Sequence, residues 1–338
     1  MCVTFFLVNC LDDFPLVLAF NRDEAYERST QSAHWWPDKP HILGGRDALA
    51  GGTWLCVSDR GRVAWLTNHW EKGPLGVRAD GPSRGELPLN FVEGTAGPLK
   101  YLSQLEGHRY PGFNLLVADL QSGQAGYYSN RCESPGAQLV APGLHGLSNG
   151  RLDQSWAKVE AGKRALQQLV DRGSFKGGRL PWDEIFGVMS DDRNVMDDPE
   201  ALPSKRGLAA ELDFPAARVF VPASPYVTPW GTSGTRSQTV VAVRRDGQCE
   251  LRERYRSPEG DWREVAHRFT ALLGPGGKGG AAGGGAAASA GPEEVGGAGG
   301  GAQGTPAGAA CRSAVGAAGG AATVEVAIDA AAGGEAVP

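Results

Sequence analysis

The sequence predicts an α+β protein built on antiparallel sheets, with its helices set apart from its strands. Three hairpins carry that expectation. Thr53–Ser58 and Arg62–Asn68 flank Asp59-Arg60-Gly61, and Gly112–Leu120 and Gly126–Asn130 flank Gln121-Ser122-Gly123. Near the end of the folded part, Thr239–Arg244 and Gln248–Tyr255 flank Arg245-Asp246-Gly247, which carries an Asp-Gly turn signal. Hairpins join antiparallel neighbours, and runs of strands with helices elsewhere fit a layered α+β architecture.

Taken in order, Val3–Val8 and Leu16–Phe20 are short runs rich in Val, Leu and Phe, divided by the turn-prone Asp12-Asp13-Phe14-Pro15. Gly85–Val92 and Pro98–Leu105 are weaker helical segments. Gln154–Val170 reads as a helix, with Asp153 as its expected N-cap and an apolar stripe of Trp156, Val159, Leu166, Leu169 and Val170. Pro181–Ser190 is a second helix, opened by proline and followed by acids. Asp191–Pro215 is polar and proline-containing, and reads as a long loop of the kind that forms lids. Trp35-Trp36 and Gly51-Gly52-Thr53-Trp54 read as core packing and tight turns, with the lining of a pocket as the alternative for aromatics so dense near the first strands.

Composition divides the 338 residues in two. Of the 64 residues from Pro275 to Pro338, 20 are Gly and 21 are Ala, too few bulky side chains to offset the entropy of ordering. The expected organisation is one folded domain, 1–273, and a disordered Gly/Ala-rich tail, 274–338. The folded part is nearly neutral, which gives it no electrostatic reason to bind nucleic acid or an acidic membrane. No apolar run reaches the ~18 residues of a membrane helix. The apolar start lacks a basic n-region and meets Asp12 and Asp13 at once, so neither a signal peptide nor a mitochondrial presequence is expected. Six cysteines without CxxC spacing suggest free thiols in the cytosol, no metal site and no cofactor.

Cys2 is the first candidate for chemistry. Its small size permits removal of the initiator methionine, which would place a thiol and an α-amine on one residue. That amine, with an ordinary pKa of about 7.7–8, can act as base for its own thiol near neutrality. The alternative is an incidental cysteine at the start of a strand. Asn21-Arg22-Asp23-Glu24 follows the second apolar run. If the first two strands pair across Asn9–Pro15, this polar group lies beside Cys2, and Asp23 could hold the amine; the alternative is a solvated turn. Asn68 and Asn149 sit at strand ends, where an amide can serve an oxyanion or simply a turn. Arg236 opens a late strand and could bind a carboxylate or phosphate.

Two GxSxG patterns occur, around Ser83 and Ser148, but chance supplies about 0.4 in a chain of this composition. Ser148 lies between a strand and a helix and stands as a second nucleophile, with His145 or His267 as its base.

These residues fall into an ordered set. Met1-Cys2, Leu18-Ala19-Phe20-Asn21-Arg22-Asp23-Glu24, Gly51-Gly52-Thr53-Trp54-Leu55, Leu66-Thr67-Asn68, Ser83-Arg84-Gly85-Glu86-Leu87, Gly112-Phe113-Asn114-Leu115-Leu116, Tyr127-Tyr128-Ser129-Asn130-Arg131 and Gly146-Leu147-Ser148-Asn149 together resemble the transport and Golgi organisation family, also called the NRDE family. The resemblance runs from Met1 to about Thr270. It implies a role in Golgi organisation and protein secretion, a link to acyl-coenzyme A, lipid or haem handling, and residence in cytoplasm, at the Golgi or at mitochondria. The family in turn resembles N-terminal-nucleophile hydrolases and acyltransferases, which implies a four-layer α/β/β/α sandwich. On that pattern Cys2 matches the nucleophile, Asp23 the amine-orienting acid, Asn149 an oxyanion donor and Arg236 the late arginine. Asn21, Arg22, Glu24 and Asn68 would contact substrate. The chain departs from those hydrolases in holding Phe20 where they carry an arginine, with Arg22 inside the turn instead.

Overall fold

Alternation along the first two strands sets the architecture. In β1 (Val3–Val8), Val3, Phe5 and Leu7 point to one side and Phe6 and Val8 to the other; in β2 (Leu16–Ala25), Val17 and Ala19 oppose Leu16, Leu18 and Phe20 in the same way. Both faces are therefore buried, and a strand buried on both sides must lie in an inner layer. The computed structural model describes residues 1–70, 81–131, 136–195, 217–224 and 231–272, with the backbone of 227–228 and 322–327.

The remaining strands of the first half are β3 (Thr30–Trp36), β4 (Lys39–Asp47), β5 (Leu55–Ser58), β6 (Arg62–Asn68), β7 (Phe113–Asp119) and β8 (Gln124–Ser129). They are followed by β9 (Gln138–Leu139), β10 (Gly143–Leu147), β11 (Val227–Thr228), β12 (Gly231–Val243), β13 (Gln248–Arg256), β14 (Trp262–Thr270) and β15 (Ala322–Ala327). One sheet runs β10-β1-β2-β12-β13-β14-β15, with β11 on β12; the other runs β3 to β9 in chain order. Every pairing is antiparallel.

Four α-helices among the described residues complete the layers. α1 (Glu86–Glu93) and α2 (Pro98–Ser103) cover the second sheet, burying Phe91, Val92 and Leu102 against Ala64, Leu115 and Val117. α3 (Ala157–Asp171) and α4 (Trp182–Met189) cover the first, burying Val159, Leu166 and Phe186 against Val3, Phe5 and Val240. Between the sheets lies a third core, in which Phe6, Leu18 and Phe20 meet Leu55, Val63 and Trp65. The order is α/β/β/α, as expected.

Several local expectations change. Asn21-Arg22-Asp23-Glu24 is not a turn: β2 continues through it to Ala25, because β12 starts at Gly231 and pairs alongside. The helix expected from Gln154 begins at Ala157, with Trp156 as its cap residue. Asp153 instead accepts from the Gly146 amide, the Lys163 ammonium and His145. β3, β4 and β14 join the strands read from sequence. Most of the expected lid, 196–215, lies outside the described residues, as does the Gly/Ala segment apart from the backbone of 322–327, which pairs with β14.

Candidate active site

The β1–β2 hairpin builds the site. Its register pairs Val3 with Asn21, so the chain continues back with Cys2 opposite Arg22 and Met1 opposite Asp23. Alternation then sorts these residues by face. Cys2 packs on the core between the sheets, and Met1 on the helix side.

The Asp23 amide donates to the Cys2 sulfur at 3.4 Å. The Asp23 side chain, 2% exposed, accepts from the Thr235 hydroxyl through Oδ1 at 2.6 Å, while Oδ2 faces the Met1 ammonium at 3.4 Å. Oδ2 makes no hydrogen bond. The Ser148 hydroxyl donates to the Cys2 carbonyl at 2.8 Å and fixes the backbone there. Burial pushes the Cys2 thiol up; the N-terminal ammonium, the Asp23 amide and Arg22 oppose it, and the Asp23 charge adds to it. With Met1 in place the sulfur is therefore a guarded thiol, not a thiolate.

Cys2 opens into a cavity of about 740 Å³. Arg22, Asp23, Glu24 and Asn68 line it, as do Trp54 and Leu66. Its far side is made by Ser83, Arg84 and Gly85 ahead of α1, and Leu49 stands at its edge, 75% exposed. Charged and apolar groups thus share one wall, a lining suited to a ligand with a polar head and an apolar body. Arg22 is buried at 4% exposure; its guanidinium lies 3.9 Å over the Trp54 ring and donates to Thr30 Oγ1. Asp47 accepts from Arg28 at 2.6 Å and lies 3.6 Å from Arg22.

Other candidates stand elsewhere. Asn21 lies on the opposite face of β2 from Arg22, and its amide donates to the carbonyls of Met189 and Val219, tying β2 to the end of α4. It does not line the cavity. Asn149 connects to Cys2 through the Ser148 hydroxyl, which bonds the Cys2 carbonyl and the Asn149 side-chain oxygen, while its own amide donates to the Asn68 carbonyl at 2.6 Å. Arg236 donates to the carbonyls of Ala25 and Arg28, and burial pushes its pKa down to about 10. It clamps the β2–β3 connection and is absent from the cavity lining. Ser148 lacks an imidazole partner: His145 bonds Asp153 and the Ala141 carbonyl, and His267 bonds the Ala33 carbonyl.

Sequence reading missed Lys158, whose ammonium donates to the Met1 carbonyl at 2.7 Å. A lysine in the first turn of a helix, where the dipole disfavours cations, was its one signal. Trp54, for which core packing was preferred over a pocket wall, stands on the cavity wall; Arg28 and Asp47 were missed as lining residues, since nothing local marks residues brought together by the second sheet.

No helix among the described residues is long and apolar enough to cross a membrane. Among solved structures, the chain is similar to a Caenorhabditis elegans N-acylethanolamine-hydrolyzing acid amidase ortholog, with 11% identity, a TM-score of 0.42, and coverage of 71% of this chain and 92% of that one. It is also similar to a variant of conjugated bile acid hydrolase from Clostridium perfringens, with 11% identity, a TM-score of 0.37, and coverage of 80% and 98%. Sequence relatives lie nearer. The chain is 34% identical to a Transport and Golgi organization protein 2 homolog of Bos taurus over 287 residues, 80% of this chain and 99% of that protein. It is 33% identical to the Homo sapiens homolog over 288 residues, again 80% and 99%. The Drosophila melanogaster protein of that name is 44% identical over 196 residues, 50% of this chain and 65% of that protein. The model of the family described as Transport and Golgi organisation 2 matches residues 1–258, and the chain belongs to that family.

Proposed function

We propose that the protein is a thiol-dependent acyl hydrolase or acyltransferase, with Cys2 as nucleophile once Met1 is removed. Its action on an acyl or lipid-like substrate is its contribution to the transport and Golgi organisation that the family's name records. One observation carries the reading: the Asp23 amide donates to the Cys2 sulfur while the buried Asp23 carboxylate faces the amine at the chain start, with Cys2 on the wall of a cavity.

The chemistry follows from those groups. The free α-amine of Cys2 takes the thiol proton, and the sulfur attacks the acyl carbon, forming a C–S bond. The C–N bond of an amide, or the C–S bond of a thioester, breaks, and the leaving group takes the proton. Water or an acceptor amine or alcohol then releases the acyl group. Asp23 orients the amine throughout. The lining suits an acyl chain better than haem, because among the described lining residues only Cys2 is a customary iron ligand and no histidine is present.

Intact mass establishes whether Met1 is absent. An activity-based thiol probe is expected to label Cys2, to lose that label in Cys2→Ala and to be unaffected by Ser148→Ala. Turnover of acyl amides or acyl thioesters, abolished in Cys2→Ala, is the expected result. Retained Met1, or binding across both panels without turnover, removes the enzyme reading and leaves a binding protein.

A further inference from the structure

The chain start is bedded against a second buried charge. Lys158 is the second residue of α3 and is fully buried. Two costs attach to that place. An ammonium there leaves water, and it stands in the first turn of a helix, where the macrodipole favours anions. Burial pushes its pKa down, while Asp23 and Cys2 push it up. Its ammonium donates to the Met1 carbonyl oxygen at 2.7 Å. That carbonyl belongs to the peptide bond whose nitrogen is the Cys2 nitrogen. Oxygen and nitrogen of one amide are about 2.3 Å apart, so the ammonium lies within about 5 Å of the Cys2 nitrogen. Among the described residues, the titratable groups that act on Cys2 and Lys158 include Asp23 and Arg22 from β2 and each other; β12 contributes the uncharged Thr235, bonded to Asp23.

We infer that Lys158 is a positioning residue for the nucleophile: with Met1 gone, its ammonium beside the new α-amine of Cys2 keeps that amine unprotonated at neutral pH, ready to take the thiol proton. This deepens, and rests on, the reading of Cys2 as nucleophile. A like charge at this range disfavours the second cation. An α-amine ordinarily starts at about 7.7–8 and a lysine at about 10.4; burial narrows that gap for Lys158, while Asp23 and Cys2 support its charge and leave the α-amine as the group to give up its proton. Asp23 pulls the other way, but its carboxylate is shared with the Thr235 hydroxyl and attracts Lys158 as well. An apolar residue would satisfy the packing of α3 at lower cost; the charge is explained by what it does to the neighbouring amine.

The test reads the amine directly. Protein that begins at residue 2 and carries Cys2→Ala, so that no S-acetyl group can migrate to the α-amine, is checked by intact mass and labelled natively with trace acetic anhydride between about pH 5 and about pH 10. S-acetyl groups on the other cysteines are removed with hydroxylamine, and the peptide of residues 2–22, which contains no lysine, is quantified by mass spectrometry. The half-labelling point is expected below the ordinary ~7.7–8 of an α-amine. It should rise by about one pH unit or more in Lys158→Met and Lys158→Gln and stay near the native value in Lys158→Arg. A native half-labelling point at or above the ordinary range overturns the inference without any variant having to fold. So does an unchanged value in the two neutral variants. Acyl turnover measured in parallel on protein that keeps Cys2 separates the two readings: a shifted amine without turnover removes the hydrolase alone, and turnover with an unshifted amine removes the role of Lys158 alone.

Discussion

Arg22 shows how one side chain joins the fold to the cavity. It sits where a strand residue would ordinarily be apolar, at 4% exposure, and its charge is met in three ways: Trp54 under the guanidinium plane, the Thr30 hydroxyl, and Asp47 at 3.6 Å. Burial pulls its pKa down, against the pull of Glu24, Cys2 and Asp47. A planar, weakly hydrated guanidinium tolerates this place better than an ammonium does. Arg22→Lys keeps the charge but loses the stacking and the fork. It is expected to cost about 1–2 kcal/mol, read as a lower urea midpoint with an unchanged slope. An unchanged midpoint would mean that the stack on Trp54 contributes nothing.

The strands and helices repeat this coupling between local pattern and tertiary partner. The three hairpins were legible because each turn signal is local: Gly61, Gly123 and Gly247 have φ of 73°, 67° and 88°, which glycine adopts freely. β3 and β4 were not legible, because their pairing is broken by register shifts and Gly44-Gly45 dilutes the strand pattern. Those glycines lie under close neighbours; a Cβ on Gly45 would meet the Trp54 ring, a contact no local pattern reveals. The position of the polar end of β2 beside Cys2 was legible, but not its continuation as a strand, since β12 decides that. Gly162 in α3 makes the same point in a testable form. Alanine is the better helix former by about 1 kcal/mol. Yet a Cβ at 162 would run into the Phe5 ring of β1, itself 1% exposed. Overpacking costs about 1–3 kcal/mol, so Gly162→Ala is expected to destabilise the protein by denaturant unfolding rather than stabilise it. A gain in stability would show that α3 can move off β1 at little cost.

The three cores explain which part of the chain the fold needs. The two outer cores end with Val240 and Ala242 on one side and Tyr128 on the other, and the core between the sheets draws its last residues, Val265 and Ala271, from β14 and just beyond. The family model stops at residue 258, before β14 closes. β15 adds backbone pairing to β14 from Arg263 to Arg268 and lies at the sheet edge. A chain ending at Leu272 is therefore expected to unfold cooperatively, to keep its cavity and to label at Cys2 as the full chain does. Its change should be confined to β14: the amides that face β15 should exchange with solvent faster, because a sheet edge without its neighbour leaves them open to water. Hydrogen exchange read peptide by peptide separates the outcomes. Faster exchange limited to 262–270 places the fold in 1–272, whereas loss of protection in β1 and β2 as well would make the C-terminal segment a structural part of the site.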